Sequence, residues 1–238
     1  MTRLARAPRP ALLGALFAAA ALASALTMLN GVQPNDEGLM LQAAARIAHG
    51  QVPYSDFWWF YPPGQPYLLA LLWKLFGPSL LPWRIVRVLA DATVVVLVYA
   101  LARRFAPRGA SLAAAAVACG AMAFPSGPHP FPIALALALG ALLVLDRPLL
   151  AGVLCGVCAL WRIEFAGYLG LGVLVAYAVR PSGRDALRFA GTALGVALAG
   201  YAPVVLSAGI GRSWDLLVKY PATQFGDYQS LPFPTRYD

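Results

Sequence analysis

The chain has 238 residues, of which 60% are hydrophobic and 12% charged, and a formal net charge of +8. A soluble domain carries about 25% charged residues, so this composition excludes an ordinary soluble protein and describes an integral membrane protein. The basic excess does not describe a nucleic-acid binder. The arginines fall in short clusters between apolar runs, at Arg3, Arg6 and Arg9, at Arg103, Arg104 and Arg108, and at Arg180, Arg184 and Arg188. That is the positive-inside pattern that orients a membrane protein.

The apolar runs are rich in Ala, Leu, Val and Gly and show no ten-residue alternation, so they read as helices rather than barrel strands. The expected fold is an all-α membrane protein with about seven transmembrane helices. External juxtamembrane helices follow the first span. The N-terminus has basic residues, an apolar stretch and Ala23-Ser24-Ala25, which resembles a secretory signal. The apolar run of about 19 residues is long enough to span, so it reads as an uncleaved helix over 11–29. Further spans are expected at 85–102, 110–125, 131–145, 149–161, 164–179 and 189–209. Several are short for a core of about 30 Å and require tilt or burial among neighbours. With the N-terminus in the cytoplasm, this arrangement puts Arg103, Arg104, Arg108, Arg147 and the 180–188 cluster inside. The segments 30–83, 126–130, 162–164 and 210–238 then lie outside.

Cys119, Cys155 and Cys158 all lie within apolar runs. Cys155-x-x-Cys158 has no second pair and no nearby His, so the cysteines read as small packing residues. Gly152 with Gly156, and Gly191 with Gly195, have the spacing that lets helices approach closely. No paired His or acid spacing suggests a metal site.

The external segment 30–83 is the most specific part of the chain. Its Asp36-Glu37 pair stands out among only ten acidic residues. Acids at a bilayer edge are costly and suggest chemistry. Asn35 or Asp36 can cap a helix starting near Glu37. Leu39, Met40, Ala43, Ala44, Ile47 and Ala48 form an apolar stripe at helical spacing, and Gly50 ends it. Arg46 and His49 fall on the polar side, which suits a helix on the membrane surface. Five consecutive aromatics, Phe57-Trp58-Trp59-Phe60-Tyr61, suit the headgroup region. Pro62-Pro63-Gly64 fixes a turn before the stretch 66–76, which is too short to span and reads as an interfacial helix.

Asp36-Glu37-Gly38, a short helix, Gly50-x-x-Pro53-Tyr54-x-Asp56, Tyr61-Pro62-Pro63-Gly64, Phe76-Gly77 and Arg84 together resemble the first external loop of GT-C glycosyltransferases. The resemblance is to the branch containing protein O-mannosyltransferases and bacterial aminoarabinose transferases, strongest over 30–90 and weaker along the spans. It implies that 1–209 is a GT-C-like transmembrane module and that 210–238 begins a further, truncated external loop. It implies a multi-pass cell-membrane enzyme with its site on the extracytoplasmic side and no cofactor. That enzyme would move a sugar from a polyprenyl-phosphate donor to an acceptor, among membrane lipids, alone or with a partner chain or a further C-terminal part.

The resemblance assigns catalysis to Asp36, with Glu37 beside it. Asp36 would be the general base on the acceptor hydroxyl, since a positioned carboxylate can take that proton as the C–O bond forms. The plainer role for Asp36 is helix capping, and the two roles are compatible. Asp56 and Tyr61 belong to the substrate-binding part of the loop. A phosphate leaving group needs cationic stabilisation, for which Arg84, Arg87 and Arg162 are candidates, with Lys74 and Arg46 behind them. Arg87 and Asp91 are four apart and can pair on one helix face. Arg162 can pair with Glu164, and Arg84 can simply snorkel. Related enzymes often carry a second acid in the next external loop; here that loop has His129, a candidate base or substrate ligand, and no carboxylate. The alternatives are an accessory module that binds a lipid-linked sugar without turnover, or a transporter of such a lipid. Transport needs polar groups at the bilayer midplane, and Asp91 is the one acid placed inside a span, near its end.

Overall fold

A computed structural model describes residues 10–29, 36–123, 130–179 and 182–229. Among the described residues the chain is helical and has no strand. Helix α1 spans Pro10–Thr27, α2 Asp36–Ala48, α3 Gly64–Phe76 and α4 Leu80–Ala102. They are followed by α5 Arg108–Met122, α6 Phe131–Leu143, α7 Pro148–Ala159, α8 Ile163–Val179 and α9 Gly183–Ala208. The chain continues through α10 Ile210–Trp214, a π-helical turn Asp215–Lys219 and α11 Tyr220–Gln229.

Among the described residues three helices, α1, α4 and α9, are long and apolar enough to cross a membrane. The other expected spans are helical too, but α5 to α8 are shorter apolar helices of 10–17 residues. Helix α4 begins at Leu80, earlier than the hydropathy suggested, because Ser79 caps it by accepting from Leu81 N at 3.2 Å. Arg84 and Arg87 therefore lie inside the first turns of α4. Helix α9 likewise begins at Gly183 and takes in Arg184 and Arg188. The segment 210–229, expected as loop, is helical.

Three apolar clusters hold the molecule together. Ala20 of α1 packs with Ala92, Val95 and Tyr99 of α4 and Ala115 of α5. Ala141, Cys155, Leu169 and Phe189 join α6 to α9. Met40, Ala44, Trp59, Leu69, Trp83 and Val204 bring α2, the aromatic turn, α3, α4 and α9 together. The stripe of α2 is thus covered by protein: Met40, Ala43, Ala44 and Ile47 are all buried. The outer face of α3 instead presents Leu71, Leu75 and Phe76.

Helix α7 lies close against α9. A Cβ on Gly152 would fall 2.6 Å from Phe189 O, and one on Gly156 2.5 Å from Ala193 O. Only a residue without a side chain fits there, as the spacing predicted. Gly191 and Gly195 differ: both are exposed, and a Cβ on either would meet nothing within 4 Å. The face of α9 that meets α7 carries Phe189, Thr192, Ala193 and Val196, and residues 191 and 195 point elsewhere on the helix. Arg104 donates to Leu142 O and Leu143 O, tying the α4–α5 turn to the carbonyl end of α6.

Candidate functional site

Asp36 is the first residue of α2, and its side chain lies outside the described residues, as does His129. Glu37, one residue on, is 2% exposed. Arg84 grips it with a two-pronged contact, Nε donating to Oε1 at 3.0 Å and Nη2 to Oε2 at 2.9 Å. Arg84 Nη1 also donates to Met28 O at 2.8 Å. One guanidinium thus joins the end of α1, the head of α2 and the first turns of α4. A planar fork matched to a carboxylate is among the stronger pairings available to side chains.

A second buried group lies one turn further along α4. Arg87 Nε donates to Asp91 Oδ2 at 3.2 Å, the four-residue pairing expected from the sequence. Arg87 Nη2 donates to Thr27 Oγ1 at 3.3 Å, and Ser24 Oγ donates to Asp91 Oδ2 at 2.6 Å. Thr27 Oγ1 in turn donates to Ser24 O at 2.9 Å. Sequence reasoning missed Ser24 and Thr27. The signal was present, since two hydroxyls three apart on one face of an apolar helix invite a polar partner.

The turn after α2 has a specific job for each motif residue. Gly50 takes φ of 90° and ends α2. Tyr54 takes φ of 68°, a costly conformation for a bulky residue. It is held there because its ring is fully buried, its N–H donates to Phe57 O and its hydroxyl donates to Tyr61 O at 2.5 Å. Burial pushes the Tyr54 phenol above its ordinary 10.0, with nearby Tyr201 and Tyr67 adding to the effect. Asp56 Oδ2 accepts from Val52 N at 2.7 Å, so this carboxylate closes the turn. The aromatic run then alternates. Phe57 and Trp59 point into the core, while Trp58 and Phe60 meet the Tyr220 ring of α11 at 5.3 and 5.5 Å.

The Tyr61-Pro62-Pro63-Gly64 turn docks on the turn between α7 and α8. Gly64 N donates to Leu160 O at 2.7 Å, and Trp161 Nε1 donates to Gln65 Oε1 at 3.1 Å. This docking opens a cavity of about 680 Å³ between Tyr61, Arg162, Glu164 and Tyr168 on one side and Leu217 and Pro221 on the other. The π-helical turn supplies Leu217 to its wall, a distortion that recurs at functional sites. Arg162 Nε lies 2.5 Å from Glu164 Oε1 in an ion pair. The guanidinium also sits 5.9 Å from the Phe165 ring centre.

The residues named from the sequence therefore divide. Glu37 and Arg84 pair, Arg87 and Asp91 pair, and Tyr61, Arg162 and Glu164 share a cavity. Asp56 is committed to its own turn. Among the described residues, no three His, Cys, Asp or Glu side chains converge as metal ligands. No protein-family model, curated protein or solved structure matches this chain.

Proposed function

We propose that the chain is a multi-pass membrane glycosyltransferase of GT-C type. It would move a sugar from a polyprenyl-phosphate donor to an acceptor on the extracytoplasmic face of the cell membrane. In this reading α5 to α8 cross the bilayer as tilted, mutually packed helices beside α1, α4 and α9. Asp36 is the general base, at the head of α2. Glu37 is a positioning residue that fixes Arg84 and the start of α2. Arg162 meets the donor phosphate, with Tyr61 and Tyr168 lining its path.

The observation that carries the reading is the cavity beside Arg162. It brings Tyr61 to Arg162 and Glu164, about a hundred residues later in sequence, around an apolar space large enough for the head of a lipid. A phosphate leaving there would find the Arg162 guanidinium lining the cavity, 30% exposed on its side chain beside Glu164.

The test is transfer by the reconstituted full chain from a panel of radiolabelled polyprenyl-phosphate sugars. Asp36→Asn is expected to abolish transfer with the fold intact, as judged by gel filtration and thermal unfolding. Undiminished turnover by Asp36→Asn would remove Asp36 as base. Donor binding without turnover by the unaltered chain would favour the carrier-binding module instead.

A further inference from the structure

We propose that the cleft between α2 and the aromatic turn binds the phosphate of an anionic membrane phospholipid. The cleft measures about 280 Å³ and is lined by Gln42 and Arg46 of α2 and by Phe57, Trp58 and Trp59. It is separate from the cavity at Arg162, with no lining residue in common.

Charge is the first argument. The half-buried Arg46 has its guanidinium over the Phe57 ring, 5.4 Å from the ring centre. Arg84, Arg87, Arg162 and Arg188 each have an acid, in Glu37, Asp91, Glu164 and Asp185. Among the described residues no carboxylate pairs with Arg46. The ring contact holds the cation at the cleft, where its N–H groups can grip phosphate oxygens. The Gln42 amide adds a donor at the same rim. Trp59, on the cleft wall, is 1% exposed, and its indole N–H has no acceptor among the described residues.

Location is the second argument. Trp58 is 49% exposed beside the cleft, and tryptophan favours the headgroup level of a bilayer. Helix α3, packed on α2, turns Leu71, Leu75 and Phe76 outward. The packed pair α2 and α3 thus carries both the cleft and an apolar surface suited to acyl chains. The volume lies at the small end for ligand clefts, which fits a phosphoglycerol headgroup better than a lipid-linked sugar.

The experiment is native mass spectrometry of the detergent-solubilised full chain titrated with phosphatidylglycerol, and it needs no transfer activity. The unaltered chain is expected to retain one phosphatidylglycerol in preference to phosphatidylcholine. Arg46→Ala should weaken this about tenfold, the loss of one or two charge-assisted hydrogen bonds. Arg108→Ala, at an exposed cation at the start of α5, should leave it unchanged, and millimolar inorganic phosphate should not compete. If Arg46→Ala fails to fold, Arg46→Gln keeps the side-chain length and reads the same loss. Unchanged retention in the Arg46 variant would overturn the proposal. So would an equal loss in Arg108→Ala, which would show general charge attraction, or displacement by inorganic phosphate, which would show a free-anion site.

Discussion

Gly64 offers the most direct trial of how the loop is mounted. A Cβ there would fall 2.6 Å from Leu160 O and 2.8 Å from Trp161 Cε3. The first neighbour is backbone and the second a ring, so neither can swing aside. Gly64→Ala must therefore push the turn off Leu160. That removes the Gly64–Leu160 hydrogen bond, worth about 1 kcal/mol net. Residual overlap and backbone shift add about 1–3 kcal/mol. Together these give about 2–4 kcal/mol, and at roughly 2–4 °C per kcal/mol for a chain of this size the unfolding midpoint falls by about 4–16 °C. The assay is thermal unfolding followed by tryptophan fluorescence in one detergent. Gly120→Ala is the control: Gly120 sits in α5 with open space around it. There alanine removes backbone freedom from the unfolded chain and is expected to be neutral or stabilising by up to about 1 kcal/mol. If both variants melt at the temperature of the unaltered chain, the docking of the turn on Leu160 is wrong.

Two further outcomes follow from buried groups. Glu37→Gln leaves the Arg84 guanidinium without its acid in a buried setting and is expected to cost about 3–5 kcal/mol, read as a lower unfolding midpoint; a variant as stable as the parent would mean that the pair does not form. The raised Tyr54 phenol predicts a loss of stability in alkali. Its folded pKa exceeds the unfolded one, so its contribution is complete below about pH 10 and declines as pH rises above that value. Tyr54→Phe should melt lower at neutral pH, having lost the bond to Tyr61 O, yet lose less between about pH 9 and 11 than the parent. Parallel pH profiles for the two proteins would contradict the assignment.

What the sequence revealed and what it hid have physical causes. Hydropathy located the apolar helices, because each must bury or immerse a continuous run. Gly50 marked the end of α2, and the four-residue spacing of Arg87 and Asp91 foretold their pairing, because both are local. Glu37 and Arg84 are 47 residues apart, and Ser24 and Asp91 are 67 apart. Their pairing depends on how α1, α2 and α4 lie together, which no local pattern encodes. The stripe of α2 showed that one face would leave water. It did not say whether lipid or protein would cover that face, and protein does. The glycine pairs at 152/156 and 191/195 have identical spacing, but phase on the helix decides which meets a neighbour.

The loop motif is a bracket before it is a site. Gly50 ends α2, Tyr54 holds a left-handed kink by burial, Asp56 closes the turn and Gly64 makes the contact with Leu160. Each of these residues is accounted for by its structural part in the turn. Their joint effect is to hold the aromatic run between two open spaces, one with Arg46 and one with Arg162. These four residues therefore specify the mounting of the loop, and the reaction proposed above rests on other residues, Asp36 at the head of α2 and Arg162. A chain that kept the bracket but lost Asp36 and Arg162 would be expected to keep this architecture without the reaction proposed for it. The bracket residues thus do not distinguish a reactive site from an inert one, and Asp36 and the contacts of Arg162 carry the functional question.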